Sequence, residues 1–161
     1  MEFMEVVKKR VSIRKYMTDP VPDESLDQVL DAARLAPSAG NSQPWHFIVV
    51  KDPQTKKMLD ISEWAQQAPV VVVGCTEAPN PTDIAIAFEH LVLAATSFGL
   101  ATCWIGRWGA DEKIKKTLGI PPNVRVLAVT PLGYPAESHA PRPRKPLAQI
   151  VHHEKFTRAE G

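Results

Sequence analysis

Cysteine is scarce in this chain of 161 residues: only Cys75 and Cys103 are present. With no second pair at metal-ligand spacing, the sequence offers neither a disulfide framework nor a zinc site, and it predicts reduced, buried thiols in a cytosolic compartment. Long apolar runs are missing too. No stretch approaches the roughly 20 residues of a membrane span, and Glu2 and Glu5 stand where a signal peptide would carry its basic and apolar regions. The expectation is therefore a cytoplasmic protein with no membrane partner. Charge of one sign is also lacking, because 19 Lys and Arg against 18 Asp and Glu leave a formal net charge of +1. Such a balance gives no global field to recruit nucleic acid, so any anion must be met by a local cluster. Finally, no G-x-G-x-x-G follows a strand-like run and no P-loop occurs, so neither a Rossmann dinucleotide site nor a nucleotidase is indicated.

What is present fits one domain over residues 1–161, with a hydrophobic content of 44% that can build one sizeable core. A first helix is expected over Glu2 to Lys9. A second starts at Pro22 or Asp23 and ends near Leu35, with Leu26, Val29, Leu30 and Ala33 at helical spacing. Trp45 to Val50 reads as a strand and Pro53 to Gln67 as a polar-faced helix. Val70 to Gly74 is a run of valines ending in glycine, which predicts a central strand covered on both faces. Asp83 to Phe98 has helical length and a Gly99 stop, yet it is apolar nearly all round. Such a helix is either the single core helix of a monomer or one covered partly by a second subunit, and a two-fold dimer is the commonest closed arrangement. Ala101 to Gly106 and Val124 to Pro131 read as strands, separated by a helix from Asp111 to Leu118 that stops at Gly119. Only the residues after Phe156 read as a tail.

Two short segments carry chemistry. In Arg10-Val11-Ser12-Ile13-Arg14, an extended backbone puts residues 10, 12 and 14 on one face and Val11 and Ile13 on the other. A helical backbone would still leave Arg10 and Arg14 on one face. Either way two guanidiniums converge, and a forked guanidinium matches a phosphate in geometry and charge. The plainer alternative is a basic helix end, with Lys8, Lys9 and Arg10 complementing the dipole. In the second segment, Ala36-Pro37-Ser38-Ala39-Gly40-Asn41-Ser42-Gln43-Pro44-Trp45, hydrogen-bonding side chains surround small residues that let a ligand approach the backbone. Its alternative is a helix terminus with Gly40 or Asn41 in the left-handed cap conformation.

These segments, followed by His46-Phe47, Gly119-Ile120-Pro121-Pro122, Leu132-Gly133-Tyr134-Pro135 and Arg142-Pro143-Arg144-Lys145-Pro146-Leu147, resemble the FMN-dependent nitroreductase family in order and spacing from about residue 5 to residue 151. The resemblance implies an α+β nitroreductase-like fold, with a central, mostly antiparallel sheet flanked by helices. It also implies a homodimer with FMN at the subunit interface and hydride taken from NADH or NADPH. Carried over, it puts Arg10 and Ser12 at the FMN phosphate and ribityl end, with Arg14 nearer the polar edge of the ring. Pro37, Ser38, Ala39 and Asn41 match the loop that reaches the flavin from the partner subunit. Ile105 and Gly106 match the segment along the isoalloxazine, and Arg142 and Arg144 match the basic pair that completes the phosphate site. The chain departs from the larger relatives in its short length, which trims the excursion shaping their substrate pocket, and in Ile105, where they carry an acidic residue before the glycine.

The implied function is an FMN-dependent oxidoreductase that passes hydride from NAD(P)H to a nitroaromatic or quinone-type acceptor with ping-pong kinetics. The cofactor performs the hydride chemistry, so no side chain is called catalytic. The alternatives are a flavin-consuming or dehalogenating relative of the same fold and a passive flavin-binding module. Other features point to less. His152-His153 has no third ligand at useful spacing, His46 and His90 read as hydrogen-bonded core or interface residues, and Trp104 and Trp108 either border the flavin or simply pack. Arg142-Pro143-Arg144-Lys145 is a weak case for a nucleic-acid or targeting patch.

Overall fold

A computed structural model describes residues 1–107 and 111–156 of the chain. The first helix, α1 (Phe3–Lys9), carries Glu5 in its first turn and Lys8 and Lys9 in its last, complementing the helix dipole, and buries only Val6. Helix α2 (Asp23–Arg34) opens with Asp23 and Glu24 and buries Leu26, Val29 and Ala33 along one stripe. Strand β1 (Trp45–Val50) leads to α3 (Pro53–Met58), whose N-terminus is capped by Asp52 accepting the Thr55 N–H at 2.7 Å. Helix α4 (Glu63–Gln66) and strand β2 (Val70–Thr76) follow, the strand buried along its whole length. Next come α5 (Thr82–Ser97), β3 (Ala101–Thr102), β4 (Ile105–Gly106), α6 (Glu112–Leu118) and β5 (Arg125–Gly133).

The strands form one antiparallel sheet in the order β1-β2-β5-β3, with β4 also paired to β5. Alternation along β2 sends Val70 and Val72 to the face covered by α2 and α5, and Val71, Val73 and Cys75 to the face holding Leu59, Ile114 and Val126. The expected central strand is therefore there, covered on both faces as its run of valines predicts. Burial pushes the Cys75 thiol up to about 11, which keeps it a neutral, packed side chain. Among the described residues no helix is long and apolar enough to cross a membrane, and no group of three or more His, Cys, Asp or Glu is placed to hold a metal.

Two expected elements are broken. The single helix over Pro53 to Gln67 is interrupted after Met58, because Leu59, only 1% exposed, turns extended and joins the core with Val71 and Val73. Burial of that side chain outweighs helix propensity. The carbonyls freed by the break are met by Gln66, whose amide donates to Leu59 at 3.2 Å and Ile61 at 3.1 Å. The strand expected over Ala101 to Gly106 is also two pieces. The register is the same on both sides, with Thr102 opposite Leu132 and Ile105 opposite Val129, but Pro131 in the gap has no N–H to donate. There the Cys103 N–H turns to the Thr130 hydroxyl at 3.1 Å.

Helix α5 packs on β2 at Gly74. A Cβ built there would lie 2.7 Å from a ring carbon of Phe88, so the close approach of helix and strand needs the missing side chain. Buried positions run along α5 as Ile84, Phe88, Leu91 and Ala95, while Ile86 stays 36% exposed and Leu93 half-buried. At its end Gly99 takes φ +73, which fits the expected glycine stop. Gly74→Ala is expected to destabilise the fold by about 1 to 3 kcal/mol through overpacking against Phe88. A thermal melt with an unchanged midpoint would refute this.

Candidate functional site

The chain leaves α1 at Arg10 and runs extended, as the first of the two conformations considered for this segment. The Ile13 N–H donates to the Thr102 carbonyl at 3.0 Å, and Ser12 and Thr102 form a parallel bridge, so the segment adds an outer strand beside β3. Ile13 is buried and Arg14 is exposed, as period-two alternation requires. Further on, Tyr16 and Pro135 form an antiparallel bridge, the Met17 N–H donates to the Tyr134 carbonyl, and the Ala136 N–H donates to the Lys15 carbonyl, the last two at 2.9 Å. These bonds tie the N-terminal segment to the stretch that follows β5. The Tyr16 hydroxyl donates to the Ile13 carbonyl at 2.5 Å, and burial pushes its pKa above the ordinary phenol range.

The pairing has a direct consequence for the arginines. Arg10, Ser12 and Arg14 share a cavity of about 400 Å³ with His139, Arg142 and Arg144. The described residues lining it include four guanidiniums and no carboxylate. Guanidiniums from both ends of the sequence thus converge on one space. Residues 142–146 are without regular structure, and the Arg144 guanidinium folds back to the Arg142 carbonyl at 2.8 Å. A hydroxyl, four forked cations and an open volume suit a phosphate monoester, with its charge of roughly −1.5 to −2 and several acceptor oxygens.

Other expected site residues lie elsewhere in the protomer. Pro37, Ser38, Ala39 and Asn41 form a loop at the N-terminus of α5, outside the arginine cavity. The Ala39 N–H donates to Asp83 at 3.3 Å, and the Ser38 hydroxyl accepts the Gln43 N–H at 2.9 Å. Gly40, Asn41 and Gln43 all have positive φ, at +58°, +56° and +49°. The cap conformation considered for Gly40 or Asn41 is therefore adopted by both, and two non-glycine residues are held in a costly backbone state. Ile105 and Gly106 form β4, and the next residue, Arg107, reaches Asp60 at 3.0 Å. Trp104 meets Phe88 edge-on with ring centroids 4.6 Å apart, a packing contact, while Trp108 lies outside the described residues. Of the two placements expected for His46, core or interface, the core is excluded: its side chain is 56% exposed, beside Glu77. His90 is half-buried against the Ala32 carbonyl, as expected.

Glu137 was not visible as a site residue in the sequence. Its carboxylate accepts the Arg14 N–H at 2.6 Å and lies 3.2 Å from the His139 ring, so it joins the two walls of the cavity. The Arg14 backbone bond, with the His139 contact adding to it, holds its carboxyl below the usual range. Nothing in the local sequence announces this, because Arg14 and Glu137 meet only through the pairing of distant segments.

The model of the Nitroreductase family matches residues 7–79 and 64–134. A protein of Methanothermobacter thermautotrophicus, provisionally named NADH dehydrogenase/NAD(P)H nitroreductase, is 36% identical over 156 residues, covering 88% of this chain and 82% of that one. The chain belongs to the nitroreductase family. A solved structure described as an FMN-dependent nitroreductase of Clostridium difficile superposes with a TM-score of 0.86 at 31% identity, covering 95% of this chain and 99% of that one. Iodotyrosine deiodinase 1 of Sus scrofa is also similar, 28% identical over 195 residues, with 93% of this chain and 68% of that protein covered. The α+β nitroreductase fold expected from the sequence is the one found.

Since the Glu137 carboxyl is held low, its contribution to stability is fully present above the ordinary glutamate range and is lost as pH falls through the lower folded value. Wild type should melt above Glu137→Gln at neutral pH, and the gap should close on acidification. A gap independent of pH would remove the assigned role.

Proposed function

We propose that this nitroreductase holds FMN by its phosphate among Arg10, Ser12, Arg142 and Arg144 and works as a homodimer with the cofactor at the subunit interface. The observation that carries this is the cavity with four guanidiniums and no carboxylate in its described lining. Such a cluster opposes itself until an anion enters, since like charges about 4 Å apart repel by about 1 kcal/mol in water and several times that near a protein surface. The protein is an FMN-dependent NAD(P)H oxidoreductase.

Each part of the chain has a task in that function. Arg14 lies toward the polar edge of the ring. The Gly106 N–H, beside Ile105, faces the hydride-accepting nitrogen. Pro37, Ser38, Ala39 and Asn41 reach the ring from the partner subunit, their backbone fixed by Asp83 and Ser38. When bound, FMN supplies the two-electron chemistry, and the protein orients it and excludes competing reactions. NADH or NADPH and an electron-poor acceptor, a nitroaromatic or a quinone, take turns at one pocket, which gives ping-pong kinetics.

Support for the homodimer comes from apolar surface left uncovered in one protomer. Ile86 on α5, Phe3, Met4 and Val7 on α1, and Leu147, Ile150 and Val151 near the C-terminus are all exposed. A second copy of the chain would cover such side chains. The second reading is a dehalogenating enzyme, favoured by the similarity to iodotyrosine deiodinase 1.

Arg10→Ala and Arg144→Ala should each weaken FMN binding, because each removes a charge-assisted phosphate contact of about 1.5 to 3 kcal/mol. Titration of FMN into the apoprotein measures this, and unchanged affinity in both variants would overturn the phosphate site. Anaerobic NADH or NADPH should bleach the oxidised flavin band of the holoenzyme, after which a quinone restores it through repeated cycles. A band that does not bleach would mark a passive binder. Halide release from a halogenated phenol, without quinone turnover, would select the second reading.

A further inference from the structure

Trp64 is the largest side chain of the short helix α4 and is only half-buried. Its ring meets a member of the arginine cluster: the Arg14 guanidinium carbon lies 5.8 Å from the ring centroid. That is inside the about 6 Å within which the negative face of an indole attracts a cation, and tryptophan is the strongest of the aromatic side chains in this role. The other end of Arg14 is fixed independently, by its N–H bond to Glu137. Root and tip of a long side chain are thus both held, so few of its rotamers remain to be lost when a ligand arrives.

The platform under Trp64 is well braced. Ala65 next to it is fully buried, Gln66 spans back to Leu59 and Ile61, and the Lys56 ammonium donates to the Ala68 carbonyl at 2.5 Å. Trp64 itself does not line the arginine cavity, whereas Arg14 does. The link between the indole and this cavity is the contact with Arg14.

We propose that Trp64 is a positioning residue for the flavin: by seating the Arg14 guanidinium on its ring, the break between α3 and α4 tunes how tightly the cofactor is held. This rests on the assignment of the arginine cavity to FMN and adds to it a residue outside the cavity. Arg14 without its seat keeps its charge but loses its aim, so the effect on affinity is graded.

The test is a double-mutant cycle read by FMN titration of the apoproteins, using wild type, Trp64→Leu, Arg14→Ala and the double variant. Trp64→Leu should weaken FMN by about two- to fivefold, as expected for a cation–π contact near the surface. Trp64→Phe should fall between wild type and Trp64→Leu. In the Arg14→Ala background, removing the indole should change nothing further. Equal losses from Trp64→Leu in both backgrounds would overturn the proposal, since the tryptophan would then act directly on the flavin or on folding at large. Undiminished affinity in Trp64→Leu would overturn it as well. If Trp64→Leu fails to fold, the same cycle with Trp64→Phe decides by the same criterion. Arg10→Ala and Arg144→Ala keep the two levels apart: unchanged affinity there removes the FMN assignment itself, whereas losses there without coupling between Trp64 and Arg14 remove only the positioning role.

Discussion

The hydrogen-bonded pairing of residues 12–17 with Thr102 and with residues 134–136 is the constraint on which the rest of the molecule depends. It holds the two ends of the sequence side by side, and with them four guanidiniums that would otherwise separate. Electrostatics alone would not assemble this cluster, because like charges are driven apart. Backbone hydrogen bonds, the burial of Ile13 and the Glu137 carboxylate bring it together, and the resulting positive potential is available to an anion. The cavity proposed to take the FMN phosphate is therefore assembled by folding itself.

The buried sheet makes this pairing possible and also determines where the remaining parts lie. Gly74 lets α5 settle directly on β2, and α5 then relates the two candidate regions. At its C-terminal end, Thr96 and Gly99 share a second cavity with Arg10. At its N-terminal end, Asp83 holds the loop containing Ala39. A helix of 16 residues is about 24 Å long, so the arginine cavity and the loop stand apart within one protomer. A two-fold axis through the uncovered face of α5 would bring the loop of one copy toward the cradle of the other, which is the arrangement the proposed homodimer requires.

Much of this was legible in the sequence, for reasons tied to local chemistry. The valines of β2, the helical spacing of Leu26, Val29 and Ala33, and the glycine stops at Gly99 and Gly119 each report a local preference that the fold keeps. The alternation of Arg10, Ser12 and Arg14 put the right groups on one face. What the sequence hid depends on distant partners. Leu59 breaks a helix because the core on the far side of β2 takes it in, and the strand over residues 101–106 is interrupted by a proline on a different strand. Glu137, Asp83 and Trp64 make contacts whose partners are remote in sequence, so no local spacing could announce them. For His46 the apolar run left core and interface both open, and only the position of β1 as the outermost strand of its side of the sheet shows that the side chain is outside the core.

The irregular turn between α3 and α4 connects parts of the proposed site that otherwise share no element. Asp60, in the turn, pairs with Arg107 directly after β4 and so bears on the strand proposed to face the reactive edge of the ring. Trp64, just after the turn, seats Arg14 on the arginine side. Both contacts exist because the helix stops at Met58: a continuous helix through residue 67 would carry Asp60 and Trp64 on one rigid rod, at i and i+4, and point them the same way. Burying Leu59 thus does more than fill the core. It separates two side chains that a regular helix would have stacked, and directs Trp64 toward Arg14 and Asp60 toward Arg107.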